Sequence, residues 1–183
     1  TNMKKLSLLF ATIVLFATAF AQRDGFDRDG NINIDDQFYD LIEPESGGLF
    51  RGVDFDMSKE AVENYELNRL TTSVYQDEEP TELVITTDMG ENILNFADIS
   101  YKFDEKGLYH IKVETYSTDA KSADKLYERV KAFYTYKLGT GYLAEDGYLE
   151  FYGENRMYDF TVAMENTGYE DSPGMYIYIY VSE

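Results

Sequence analysis

Hydrophobic and polar positions alternate most cleanly between Phe96 and Phe103, where Ala97, Ile99, Tyr101 and Phe103 interleave with Asp98, Ser100 and Lys102. A period of two is the signature of a strand with one buried face. Similar runs predict strands over 71–75, 82–87, 96–103 and 108–117. In the last of these Tyr109, Ile111 and Val113 are expected on the core side, opposite His110, Lys112, Glu114 and Tyr116. Asp104-Glu105-Lys106-Gly107 supplies a hairpin turn, with a glycine for positive φ. Ahead of these strands Ser58 can cap a helix, with Glu60 at the positive end of its dipole and Met57 stapled onto Val62. Ala61, Val62 and Tyr65 would form its buried side.

The second half repeats the order. Ser122 is the expected cap of a longer helix in which Ala123, Leu126, Val130, Phe133 and Tyr134 recur at three- and four-residue steps, and Gly139 ends it. Strands are then predicted over 148–152, 157–165 and 175–181. Leu149 and Phe151, then Tyr158, Phe160, Val162 and Met164, then Met175, Ile177, Ile179 and Val181 share the expected core face. The pattern implies an α+β fold: an antiparallel sheet of about six to seven strands, two helices packed on one face, and the helix-then-meander order occurring twice.

Composition narrows the chemistry. The 183 residues include 35 acidic and 16 basic side chains, 17 tyrosines, one histidine, and neither cysteine nor tryptophan. That length suits one domain with its own core. Without cysteine there is no disulfide framework, zinc-thiolate site, catalytic thiol or lipid-anchoring thiol, so the chain is not read as a lipoprotein. Lys4 and Lys5, the apolar run Leu6 to Phe20, and small residues at Ala19 and Ala21 match a secretory signal peptide over 1–21. The expectation is an exported protein, periplasmic or extracellular, with no stable membrane insertion after cleavage. Its mature net charge would be −21, from 14 basic and 35 acidic residues. That sign repels phosphate backbones and excludes nucleic acid as a natural partner.

Residues 22–48 are acidic and turn-rich and are expected as a flexible tether, with a single domain over 49–183. Within the tether Asp27, Asp29, Asn31 and Asn33 alternate around Gly30, as oxygen ligands do in calcium loops. An Asx-rich turn accounts for the same run without any ion. Calcium is thus the one cofactor the chain suggests.

Two stretches carry a family resemblance. Gly52-Val53-Asp54-Phe55-Asp56-Met57-Ser58-Lys59-Glu60-Ala61-Val62 resembles the segment that opens modules of the BamE/SmpA type. Asp98-Ile99-Ser100-Tyr101-Lys102-Phe103-Asp104-Glu105-Lys106-Gly107-Leu108 is similar to the strand, acidic turn and strand that follow there. The duplicated helix-then-sheet order also resembles the beta-lactamase inhibitor protein. These resemblances imply a small, non-enzymatic protein-binding scaffold of the bacterial envelope.

The residues themselves point the same way. No Gly-x-Ser-x-Gly elbow surrounds any serine, His110 lies mid-strand, and Gly139-Thr140-Gly141 precedes no Lys-Ser or Lys-Thr. By strand parity the surface opposite the helices should carry Tyr75, His110, Tyr116, Tyr148, Tyr152, Tyr176, Tyr178 and Tyr180 beside Glu114 and Glu150. Tyrosine combines a large apolar body with a polar tip and little rotamer entropy, which suits binding surfaces. It also stabilises sheets through cross-strand pairs without binding anything. The leading expectation is protein interaction through Tyr148, Tyr152, Tyr176, Tyr178 and Tyr180, with another envelope or secreted protein as partner. A calcium-assisted adhesin or glycan-binding domain ranks second, and an acid–base hydrolase third.

Overall fold

The computed structural model describes residues 34–68, 72–75, 79–90, 92–155, 157–167 and 173–182. The signal-peptide segment 1–21 and the calcium candidates Asp27, Asp29, Asn31 and Asn33 lie outside the described residues. The chain runs α1 (Ile34–Ile42), α2 (Lys59–Leu67), β1 (Thr72–Tyr75), β2 (Glu82–Asp88), β3 (Phe96–Asp104), β4 (Gly107–Tyr116), α3 (Ala120–Leu138), β5 (Tyr142–Leu143), β6 (Leu149–Glu154), β7 (Asp159–Asn166) and β8 (Met175–Val181). The fold is α+β. Seven strands of four or more residues and the two-residue β5 form one antiparallel sheet in the order β1-β2-β3-β4-β8-β7-β6-β5.

Helix α1 corrects the expected tether. Its three aspartates made the segment look solvated, yet Phe38, Leu41 and Ile42 recur at helical spacing and are buried. Phe38 meets Phe133 of α3 edge-to-face at 5.7 Å, and the Arg129 guanidinium lies 4.8 Å from the Phe38 ring centre. Asp40 accepts a hydrogen bond of 2.7 Å from the backbone N–H of Gly90. The folded domain therefore begins at or before residue 34 rather than at 49.

Helix α2 is capped as its sequence predicts, with Ser58 accepting from the N–H of Ala61 at 3.2 Å. Its buried side is different. Val62 and Glu66 point inward, whereas Ala61 and Tyr65 are exposed. Residues 62 and 66 are four apart and so share one face. The cap of α3 is Asp119, not Ser122: Asp119 accepts from the Ser122 N–H at 2.9 Å and from its hydroxyl at 2.7 Å. Gly139 closes α3.

One continuous core joins helices and sheet. Ladder register brings Ile85, Ile99, Val113, Ile177, Met164 and Leu149 into a row, and Leu83, Tyr101, Ile111, Ile179, Val162 and Phe151 into the next. Val62, Leu126, Val130 and Tyr134 from the helices belong to the same cluster. The strand pattern corrects one expected core residue. Lys102 pairs with His110 but Phe103 pairs with Leu108, so Tyr109 is the extra residue of a β-bulge. Leu108 takes the buried position and Tyr109 is 40% exposed. The turn before it requires glycine. Gly107 has φ of 127°, and a Cβ there would sit 2.5 Å from the Asp56 backbone, which pairs with Leu108.

Beneath the sheet lies a buried polar clamp. Phe50 and Val53 pair around a two-residue turn in which Arg51 and Gly52 have φ of 52° and 78°. Arg51 is fully buried and its guanidinium donates to the carbonyls of Asp40 and Leu41, at the C-terminus of α1. It also reaches the Glu66 carboxylate at 3.3 Å. The Tyr101 hydroxyl donates to the other Glu66 oxygen at 2.5 Å. These contacts fasten α1, α2 and β3 together.

Candidate binding face

Period two sends the remaining strand residues to the opposite side of the sheet, and the ladders fix who neighbours whom. One row reads Glu82, Lys102, His110, Tyr180, Thr161, Tyr152 from β2 to β6. The next reads Val84, Ser100, Lys112, Tyr178, Ala163, Glu150, Tyr142. A third reads Thr86, Asp98, Glu114, Tyr176, Glu165.

The rings touch one another along this face. Tyr178 lies 5.8 Å from Tyr148, 6.1 Å from Tyr176 and 6.2 Å from His110, and His110 is 6.3 Å from Tyr180. Phe96 and Tyr116 stack at 4.6 Å with 22° between planes. These separations fall in the range for favourable aromatic pairs. Mutual packing leaves Tyr148, Tyr176, Tyr178 and Tyr180 half-buried, while Tyr152 on β6 is 59% exposed.

Carboxylates hold the hydroxyls. Tyr176 donates to Glu114 at 2.9 Å and Tyr152 donates to Glu150. Lys112 pairs with Glu114 at 3.2 Å and sits 5.3 Å from the Tyr176 ring centre. Proton affinities follow. Burial and the neighbouring Glu114 push the Tyr116 hydroxyl up, and burial with Glu165 does the same to Tyr148. Burial alone would raise Glu114, but hydrogen bonds from Tyr116, Tyr176 and Lys112 outweigh it and hold the carboxyl below its ordinary value. His110 is lowered by burial and by Lys102 and Lys112, with Glu82 opposing. The hydroxyls of Tyr176 and Tyr152 are thus tethered, and part of the rotamer entropy that binding would otherwise remove from these two rings is already spent.

The five tyrosines singled out from sequence, Tyr148, Tyr152, Tyr176, Tyr178 and Tyr180, lie together on this one face. The side chain of Tyr75 lies outside the described residues. Tyr142, 61% exposed on β5, was not anticipated, because a two-residue edge strand leaves no periodic signal. At the β6 end of the first row, Tyr152, Glu154, Thr161 and Tyr180 border a shallow depression. Among the described residues no group of three or more His, Cys, Asp or Glu side chains could hold a metal ion, and no helix is long and apolar enough to cross a membrane. Comparison with protein-family models, with curated proteins and with solved structures finds no match.

Proposed function

We propose that this chain is an exported, non-catalytic protein-interaction module of a bacterial envelope, binding another envelope or secreted protein through its tyrosine-rich sheet face. The observation that carries the reading is the cluster of tyrosine rings on a sheet face away from the core, with the hydroxyls of Tyr176 and Tyr152 held by Glu114 and Glu150. Large amphipathic rings already fixed in place lose little entropy on docking. Export rests on the charged, apolar and small-residue pattern of 1–21. We read the architecture as one helix-and-meander unit used twice, α2 with β1 to β4 and α3 with β5 to β8, both helices on one face. The sheet order supports this, since it reads alike from both edges and joins the halves through their last strands, β4 and β8.

Neighbouring residues on β8 provide the test. Ile179 is fully buried and Tyr178 is half-buried on the other face. Ile179→Ala is expected to cost about 2 to 5 kcal/mol of stability through the cavity it leaves. Tyr178→Ser should cost less in denaturant melts yet weaken capture of a partner from envelope extracts by about 2 kcal/mol or more. Unchanged capture by a folded Tyr178→Ser protein would overturn the assignment of this face.

A further inference from the structure

The first row of the outer face ends in a gap. Thr161 on β7 stands between Tyr152 on β6 and Tyr180 on β8, and its short side chain floors the depression that these two rings flank. Glu154, Asp159 and Ser182 form the next row and border the same depression toward the strand ends. Two strand spacings set the tyrosine backbones roughly 10 Å apart. That width holds one six-membered ring with a carbon contact of about 4 Å on each side. Tyr152 is 59% exposed and its hydroxyl is tied to Glu150, so the ring is restrained yet accessible. Tyr180 meets His110 on the side away from the gap. On the floor, the hydroxyl of the buried Thr161 shares a hydrogen bond of 2.9 Å with that of Ser182. One proton lies in that bond, and the other hydroxyl keeps its own to donate. Glu154 and Asp159, both exposed, are cross-strand partners that offer acceptors only. No lysine or arginine among the described residues borders the depression.

We propose that this depression is a carbohydrate site, taking one pyranose ring of a neutral glycan between Tyr152 and Tyr180. The lining selects that chemistry. Axial C–H groups of a sugar ring present a weakly positive face to the negative face of an aromatic ring. Neighbouring sugar hydroxyls donate to Glu154 and Asp159, and hydrogen bonds to ionised acceptors are the stronger kind. A sugar oxygen accepts from the Thr161–Ser182 pair. An anion would meet two carboxylates. A lysine or arginine side chain would answer the carboxylates but bring no acceptor for the hydroxyls. A metal ion is not served either, since no group of three or more ligating side chains occurs among the described residues. The site goes beyond the protein-binding reading and does not depend on it, because Tyr178, which tests that reading, does not line it.

The probes are cellohexaose, maltohexaose and N-acetylchitohexaose, each titrated to millimolar concentration and followed by amide NMR shifts. At least one should bind, with the shifts concentrated at Gly153, Glu154 and Thr161. Tyr152→Ala and Glu154→Gln should each weaken that sugar by about three- to tenfold. Tyr178→Ser should change it less than about twofold. Urea melts verify that each variant is folded, and Glu154→Gln carries the test should Tyr152→Ala unfold. Binding by none of the three sugars, or binding undiminished in the folded variants at 152 and 154, would overturn the proposal. A lysine-glycine repeat peptide is the counterpart: if it binds in place of the sugars and is lost in Glu154→Gln, the depression is a cation site and the proposal fails. The protein-binding reading fails separately, through unchanged partner capture by Tyr178→Ser, a result that leaves sugar binding untouched.

Discussion

Glu66→Gln isolates the charge of the buried clamp without changing its shape. In the native protein both side chains of the Arg51–Glu66 pair are fully removed from solvent. The glutamine amide retains an oxygen that can accept from the Tyr101 hydroxyl, so no cavity opens and that hydrogen bond is kept. What disappears is the counter-charge of Arg51, whose guanidinium is left facing the Asp40 and Leu41 carbonyls and a neutral amide. Carbonyl oxygens solvate a cation only in part, and removing one partner of a buried ion pair costs about 3 to 5 kcal/mol. With a urea slope of about 1 to 3 kcal/mol per molar, the unfolding midpoint should fall by roughly 2 M. The double variant Arg51→Met with Glu66→Met places apolar groups on both sides and should be markedly more stable than the sum of its two single variants implies, because each single change strands a polar partner. Tyr101→Phe removes only a hydroxyl and should cost about 1.5 to 3 kcal/mol, the range for a hydrogen bond to a charged group. Equilibrium urea unfolding followed by tyrosine fluorescence measures all five variants. A Glu66→Gln protein within 1 kcal/mol of the parent, or strictly additive single variants, would refute the view that this pair is a fastening between α1 and α2.

Two further outcomes are expected. Phe38→Ala should cost about 3 to 5 kcal/mol in the same assay, since Phe38 is buried against Phe133 and Arg129, whereas a segment that merely tethers would tolerate the change with no shift in midpoint. Glu114 has its proton affinity lowered in the folded state, so its stabilising contribution is present above its ordinary value of 4.5 and is lost as pH falls through the lower folded value. The stability difference between the parent and Glu114→Gln, followed by thermal melts, should therefore shrink on acidification below pH 4.5, and a difference independent of pH would refute it.

Much of the sheet was legible because alternation is a local property. From Phe96 to Phe103 the even and odd positions differ so consistently in polarity that only one face can be buried, and the α+β class followed from adding helical spacing at Leu126, Val130 and Tyr134. The grouping of Tyr176, Tyr178 and Tyr180 opposite Ile177 and Ile179 is of the same kind, a consequence of period two. Local pattern failed where a distant partner reverses the meaning of a residue. Three aspartates made α1 read as solvated chain, because nothing nearby announces that Arg51 will satisfy its terminal carbonyls and Phe133 will cover Phe38. Glu66 was missing from the expected buried side of α2 because burying a carboxylate requires a cation and a hydroxyl from elsewhere, and both arrive only through the turn at Arg51 and the strand at Tyr101. Tyr109 lost its inward place to a bulge that register alone defines. Ladder pairing also decided that Asp98, Glu114 and Glu165 stand in one row with Tyr176 between two of them, an arrangement drawn from four strands up to 78 residues apart in the chain. Polarity periodicity is written in neighbouring residues, whereas charge partners, bulges and row neighbours come from chain crossings that no window of sequence contains.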